Sequence, residues 1–161
     1  MQSTRNPKLD ILAGIQGRFE KHGWTVMAVL PGDDGSPSFT YSIGFEQTFG
    51  MPEVIFVGFN PELAQSLIAG IARSLEQGEF EVPTQEQRIG KIVRNFDVLA
   101  RPVSKELTEQ TAIWATAFNK PLQTRLVQMF IPDPQGLFPD DAGCDPQYVS
   151  MQDMKKIAEG D

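Results

Sequence analysis

The sequence predicts an α+β fold: one domain with a mixed, mainly antiparallel sheet of about five strands covered by helices. Three observations carry this. Helical and strand periodicities alternate only in part along the 161 residues. The first strand-like runs are joined by turn clusters too short to hold a crossover helix, which favours antiparallel pairing. The run Val54-Ile-Phe-Val57 is apolar without alternation, as suits an inner strand covered on both faces. The domain is expected over residues 8–158, with 1–7 polar and flexible.

Each element follows from local chemistry. Leu9, Leu12, Ile15 and Phe19 recur at helical spacing with Ile11 beside them, and Gly23 can take the left-handed residue that ends a helix over 8–22. Thr25 to Leu30 is β-prone, and the turn cluster Pro31 to Pro37 predicts a hairpin. In the next strand Phe39, Tyr41, Ile43 and Phe45 alternate with Ser38, Thr40, Ser42 and Gly44, so the aromatic side is expected to face the core. Asn60 and Pro61 suit the cap and first turn of a helix bearing the stripe Leu63, Leu67, Ile71 and Leu75 and stopping at Gly78. Glu79 to Gly90 reads as a long polar connection and Ile92 to Ala100 as a strand. A helix over 105–118, capped by Ser104, and a strand over 126–131 follow. Pro132 to Pro146 is turn-rich, and Ser150 to Asp153 resembles a capping box opening a terminal helix. Trp24, Phe39, Tyr41, Ile43, Phe56, Leu67 and Ile71 are expected to share one core.

Composition narrows the function classes. Apolar residues make up 40% and charged residues 22% of the chain, ordinary values for a globular protein. The longest apolar run, Val54 to Phe59, is far short of a bilayer span, so no membrane partner is expected. The first ten residues have no apolar segment of the kind that directs secretion. Fourteen Lys and Arg against 21 Asp and Glu leave a net charge of −7, which disfavours a nucleic-acid partner. Cys144 is alone, so no intrachain disulfide can form and a reducing cytoplasm is the expected setting.

His22-Gly23-Trp24, Tyr41-Ser-Ile-Gly44-Phe, Pro52-Glu53 and Gln128-Met-Phe-Ile-Pro132-Asp133, followed by Gly136-Leu-Phe138-Pro139, occur in an order that resembles the bacterial domain-of-unknown-function 4262 family over about residues 10–145. Met51 stands where the family pattern often has a His, and Asp140 where it often has an aromatic. The resemblance implies a compact domain and no particular activity.

The candidate ligand-binding residues are His22, Tyr41, Gly44, Glu53, Gln128 and Asp133. His22 is the only imidazole; at a helix C-terminus its charge complements the dipole, and the alternatives are ligand contact or proton transfer. Gly44 and Gly58 are strand glycines that permit a bulge or a close approach. Gln128 is the lone polar residue of its strand and must find partners, in a neighbouring loop or a pocket. Tyr41, Gly44, Glu53 and Gln128 are expected to surround one concave site. Asp133, between two prolines, reads as a turn carboxylate accepting backbone N–H groups, so Asp133→Asn should be nearly as stable as the wild type and Asp133→Ala less so; a ligand contact is the alternative. Arg88, Lys91, Arg94 and Arg101 concentrate positive charge; on a strand Arg94 shares a face with Ile92 while Asp97 lies on the other, and the alternatives are anion binding, pairing with the acidic segment 133–145 or simple solvation. A Cys144–His22 nucleophile pair and a hard-cation site at Asp140, Asp141 and Asp145 are the remaining candidates, each against a structural reading.

No side-chain set for catalysis stands out. The leading reading is therefore a non-catalytic module that binds a small molecule or a protein. The alternative is a cofactor-dependent enzyme, in which a flavin-like group bound on the sheet supplies the reactivity. The sequence names no cofactor and no oligomeric state.

Overall fold

The computed structural model describes residues 6–93 and 96–159. Helix α1 (Pro7–His22) leads into strands β1 (Thr25–Val29) and β2 (Phe39–Ile43), a short helix α2 (Phe45–Phe49), β3 (Glu53–Val57) and α3 (Pro61–Glu76). The β4–β5 hairpin (Gln87–Val93 and Phe96–Pro102) is followed by α4 (Lys105–Thr111), α5 (Ile113–Asn119), β6 (Leu126–Phe130), α6 (Pro146–Met151) and α7 (Lys155–Glu159). One six-stranded sheet runs β1-β2-β3-β6-β5-β4. Its two antiparallel halves, β1-β2-β3 and β6-β5-β4, meet at the parallel pair of β3 with β6, in register Glu53 to Leu126. The fold is α+β, with one strand more than expected. Among the described residues no helix is long and apolar enough to cross a membrane.

The caps explain where the helices begin and end. Asn6 accepts the Lys8 N–H and Asn60 the Glu62 N–H, each followed by Pro in the first turn, and Ser104 accepts the Leu107 N–H. These are side-chain acceptors for donors a helix cannot satisfy itself. Gly23 takes φ 81° and ends α1 as expected. Residues 1–5 of the segment expected to be flexible lie outside the described residues, but Asn6 and Pro7 already belong to the start of α1.

The sheet is buried on both faces, so the predicted single core divides in two. On one face Val54, Phe56, Val127 and Met129 pack under α2 and α3, with Trp24 and Leu67 partly buried against them. On the other, Phe39, Tyr41, Ile43, Ile55 and Val57 pack with Ile15, Ala112, Ala115 and Met154 from α1, α5 and the segment before α7. Thr40 and Ser42 are therefore buried too, although alternation alone assigns that side of β2 to the periphery.

Several boundaries depart from the sequence pattern, each for a physical reason. Phe45 does not continue β2: Gly44 at φ 108° ends the strand and Phe45 opens α2 on the opposite face. The predicted strand 92–100 spans the end of β4 and most of β5. Polar β4 was legible only as a connection because, on an edge strand, only Ile89 of Arg88-Ile89-Gly90 needs to be buried. The helix expected over 105–118 breaks at Ala112, whose ψ of 55° is not helical. In α1 and α3 the buried stripe is rotated from the expected one: Leu9 is 63% and Leu63 48% exposed and Ile11 is exposed as well, whereas Ala64, Ile68 and Ala72 join Ile71 and Leu75 inside. Ser150 opens no helix. Asp145 caps α6 through the Gln147 N–H, with Ser150 in the last turn of that helix, and Asp153 accepts the Lys155 N–H at the start of α7. Arg94, expected on the strand face away from Asp97, lies outside the described residues.

Candidate functional site

The six candidate residues do not gather around one cavity. His22 is exposed in the last turn of α1. Tyr41 is fully buried, and its hydroxyl oxygen accepts the Trp114 N–H at 3.2 Å; burial pushes the phenol well above its usual range, which fixes it as a neutral bond to α5. Gly44 is left without a Cβ because α1 approaches it: an added Cβ would come 2.8 Å from the Phe19 ring and 3.1 Å from the Gly23 carbonyl oxygen. Gly58 is the same kind of position, with an added Cβ only 2.0 Å from the Met151 carbonyl oxygen. Both close approaches are made by the chain itself.

Gly44 and Glu53 do come together, in a closed network. Pairing of β2 with β3 ends at Tyr41 and Ile55, and the Glu53 carboxylate lies where the strands part. It accepts Ser42 Oγ at 2.8 Å, the backbone N–H groups of Gly44, Phe45 and Glu46 at 3.2, 3.0 and 3.1 Å, and Asn119 Nδ2 at 2.9 Å. It thus caps α2, whose own N-cap residue, Gly44, has no side chain for the task. Full burial pushes this carboxyl up to about 7 against the pull of the five donors. Beside it Glu46 holds Arg125 through Nε at 2.9 Å and Nη2 at 2.7 Å and also accepts its backbone N–H, while the Arg125 carbonyl takes the Glu53 N–H. Every acceptor position offered to a ligand here is already used by the protein, which corrects the expectation of a binding role for Glu53.

Asp133 is a turn carboxylate. Oδ1 accepts the N–H groups of Gln135 and Leu137, each at 2.9 Å, and Oδ2 that of Asp145 at 2.8 Å. These donors, Asp145 foremost, hold the group below its usual pKa. The third bond keeps the expected mutant order but makes the Asn variant costlier than expected, because Asn keeps Oδ1 but turns an N–H₂ group toward the Asp145 N–H. Asp133→Asn should melt below the wild type and Asp133→Ala lower still, by about 5 °C or more, in thermal denaturation. Equal melting of Asn and wild type would show that the Asp145 bond contributes nothing.

The other candidates resolve into structural roles. Cys144 is buried, its thiol pushed up by burial and by Asp133, and its sulfur faces the carbonyl oxygens of Leu137 and Asp145 rather than an imidazole. Asp141 receives the Phe138 N–H and pairs with Arg88 at 3.3 Å; Asp140 pairs with Arg101. The arginines thus meet the acidic segment, as expected of intramolecular pairing.

Gln128 leads to the site. Together with Arg101 and Phe130 it forms the floor of a cleft of about 370 Å³, walled by Leu107 of α4, by Val149 and the residues Gln152 to Lys155 around α6 and α7, and by the turn Pro139-Asp140. The walls are held by buried amides. Gln152 pairs with Ile131 as a strand would, its Oε1 accepting the Ile131 N–H at 2.8 Å and its Nε2 donating to the Ile131 carbonyl at 3.0 Å and the Tyr148 carbonyl at 3.1 Å. Gln128 Nε2 donates to the Gln152 carbonyl at 2.6 Å, and among the described residues its Oε1 has no protein donor. Arg101 lies over the Phe130 ring, 4.9 Å from its centroid, with Nε donating to Glu86 at 2.6 Å. A larger, more open hollow of about 710 Å³ runs from Met51 and Arg125 along residues 78–89, but its Arg125 is already committed to Glu46. Sequence reasoning singled out Gln128, Arg101 and Asp140 but could not find Leu107, Gln152 or Met154, because nothing local to α4 or to the C-terminal helices says that they meet over β6.

No curated protein and no solved structure matches the chain. The family described as Domain of unknown function (DUF4262) matches residues 18–145, a span that holds both sheet halves, the Glu53 network, and the floor and two of the three walls of the cleft. The chain belongs to the DUF4262 family.

Proposed function

We propose that this protein is a non-catalytic module of the bacterial cytoplasm that binds a small molecule in the cleft over β5 and β6. The observation that carries the reading is the Gln128 side chain. It is a buried amide in the middle of an inner strand, tied by one bond, on a cavity lined about equally by apolar side chains and by polar or charged ones. Convergent polar groups beside an apolar wall in a hollow of this size are what a ligand site offers. The lining side chains supply no paired nucleophile and base: Ser104 is spent as the cap of α4, and the single His lies on α1. The cytoplasmic setting rests on the one unpaired cysteine.

The test is a protein-observed NMR screen of neutral and charged fragments, repeated on Leu107→Trp, which fills the cleft. Bound fragments should shift the amides of Gln128, Phe130 and Met154, and Leu107→Trp should abolish those shifts while the rest of the spectrum stays folded. Shifts confined to other surfaces, or a Leu107→Trp protein that binds as before, would overturn the reading.

A further inference from the structure

We infer that the cleft takes a small carboxylate with an apolar body, and that the Asp140 side chain occupies the carboxylate's place when the cleft is free of it. The inference rests on the reading of the cleft as a ligand site and adds the chemistry of the ligand. Arg101 is the group that recognises it. Its guanidinium lies over the Phe130 ring, which sets the plane it presents to the cleft, and Nε donates to Glu86. Of its five N–H donors, one serves Glu86 and one, on Nη2, serves Asp140; among the described residues Nη1 has no partner. A planar donor held this way suits a carboxylate, which can bind it at two points.

Asp140 makes a poor permanent occupant. It is 67% exposed while Arg101 is 32% exposed, and exposed pairs of this kind are weakly held. It follows Pro139 on the turn that forms the cleft's rim. When it leaves, Arg101 and Lys155 remain in the lining with Asp153, and Glu86 stays on Arg101 Nε, so the cleft loses one negative charge and the Nη2 donor is freed. Val103, Leu107, Val149 and Met154 then cover the ligand's apolar body, and Gln128 Oε1 accepts a hydrogen bond from any N–H or O–H the ligand carries.

Three probes of nearly equal shape separate charge from fit: indole-3-acetate, the neutral indole-3-ethanol and the cationic tryptamine, titrated by NMR into the wild type, Asp140→Asn and Arg101→Met. Indole-3-acetate should bind about tenfold more tightly than the other two. Asp140→Asn should strengthen indole-3-acetate alone by about three- to tenfold, and Arg101→Met should reduce it to the level of indole-3-ethanol with a folded spectrum retained. Equal binding of the three probes in the cleft, or no gain in Asp140→Asn, would overturn the carboxylate inference and leave the cleft as a ligand site. Failure of every fragment to reach the cleft would overturn both.

Discussion

Glu53→Ala should lower stability by about 3–5 kcal/mol, because it strips the acceptor from three backbone N–H groups, an amide and a hydroxyl that stay buried. Urea unfolding followed by fluorescence of Trp24 and Trp114 would measure it, and a loss below about 1 kcal/mol would mean that water replaces the carboxylate at little cost. Glu53→Gln separates charge from shape. With its carboxyl pushed up by burial from the ordinary 4.5 to about 7, the folded protein holds this proton more tightly than the unfolded chain does. The stability so contributed is complete below the unfolded value and is lost as pH rises through about 7. Gln does not titrate, so wild type should lose ground to Glu53→Gln by on the order of 3 kcal/mol across that window. A difference that stays flat with pH would show that the five donors keep the carboxylate ionised throughout.

Phe56→Ala should cost a similar amount, about 3–5 kcal/mol, for a different reason. The ring is 1% exposed and packs among Val54, Ile68, Ile71 and Met129 between the sheet and α3. Its removal leaves a cavity that strands on one side and a helix on the other cannot close without shifting many contacts. The melting temperature should fall by roughly 10 °C. An unchanged value would mean that α3 collapses onto the sheet and fills the space.

What the sequence disclosed of this fold is what local chemistry controls. Asn60-Pro61, Ser104 and Gly23 each act on donors or backbone angles within a few residues, so their roles were legible and α1, α3 and the start of α4 lie where expected. The hidden features depend on partners distant in sequence. Helix α2 is capped by a carboxylate from the next strand, β4 is a strand because β5 is beside it, and both faces of β2 are buried because helices from three parts of the chain cover them. The site follows the same division. Gln128 and Asp140 were conspicuous against their neighbours, but the wall opposite them is brought by Gln152, whose polar side chain at a helix end carries no sign that it will pair with a strand. Glu53 shows the converse: an acidic residue opening an apolar strand looked like a ligand contact and is instead consumed inside the protein.

The junction of the two sheet halves also has a consequence in time. Within each half neighbouring strands can find one another over short or moderate loops, but β3 meets β6 only when a long stretch of chain closes. The bonds that fasten this junction span large separations, 66 residues for Asn119 to Glu53 and 79 for Arg125 to Glu46. Contacts of such separation are costly in entropy before they are rewarded, which makes their formation a late and slow event in folding. The ligand cleft stands outside that schedule: it is lined wholly from residues 101–155, and its far wall is tied to Ile131 over only 21 residues, so it can take shape within its own half before the two have joined.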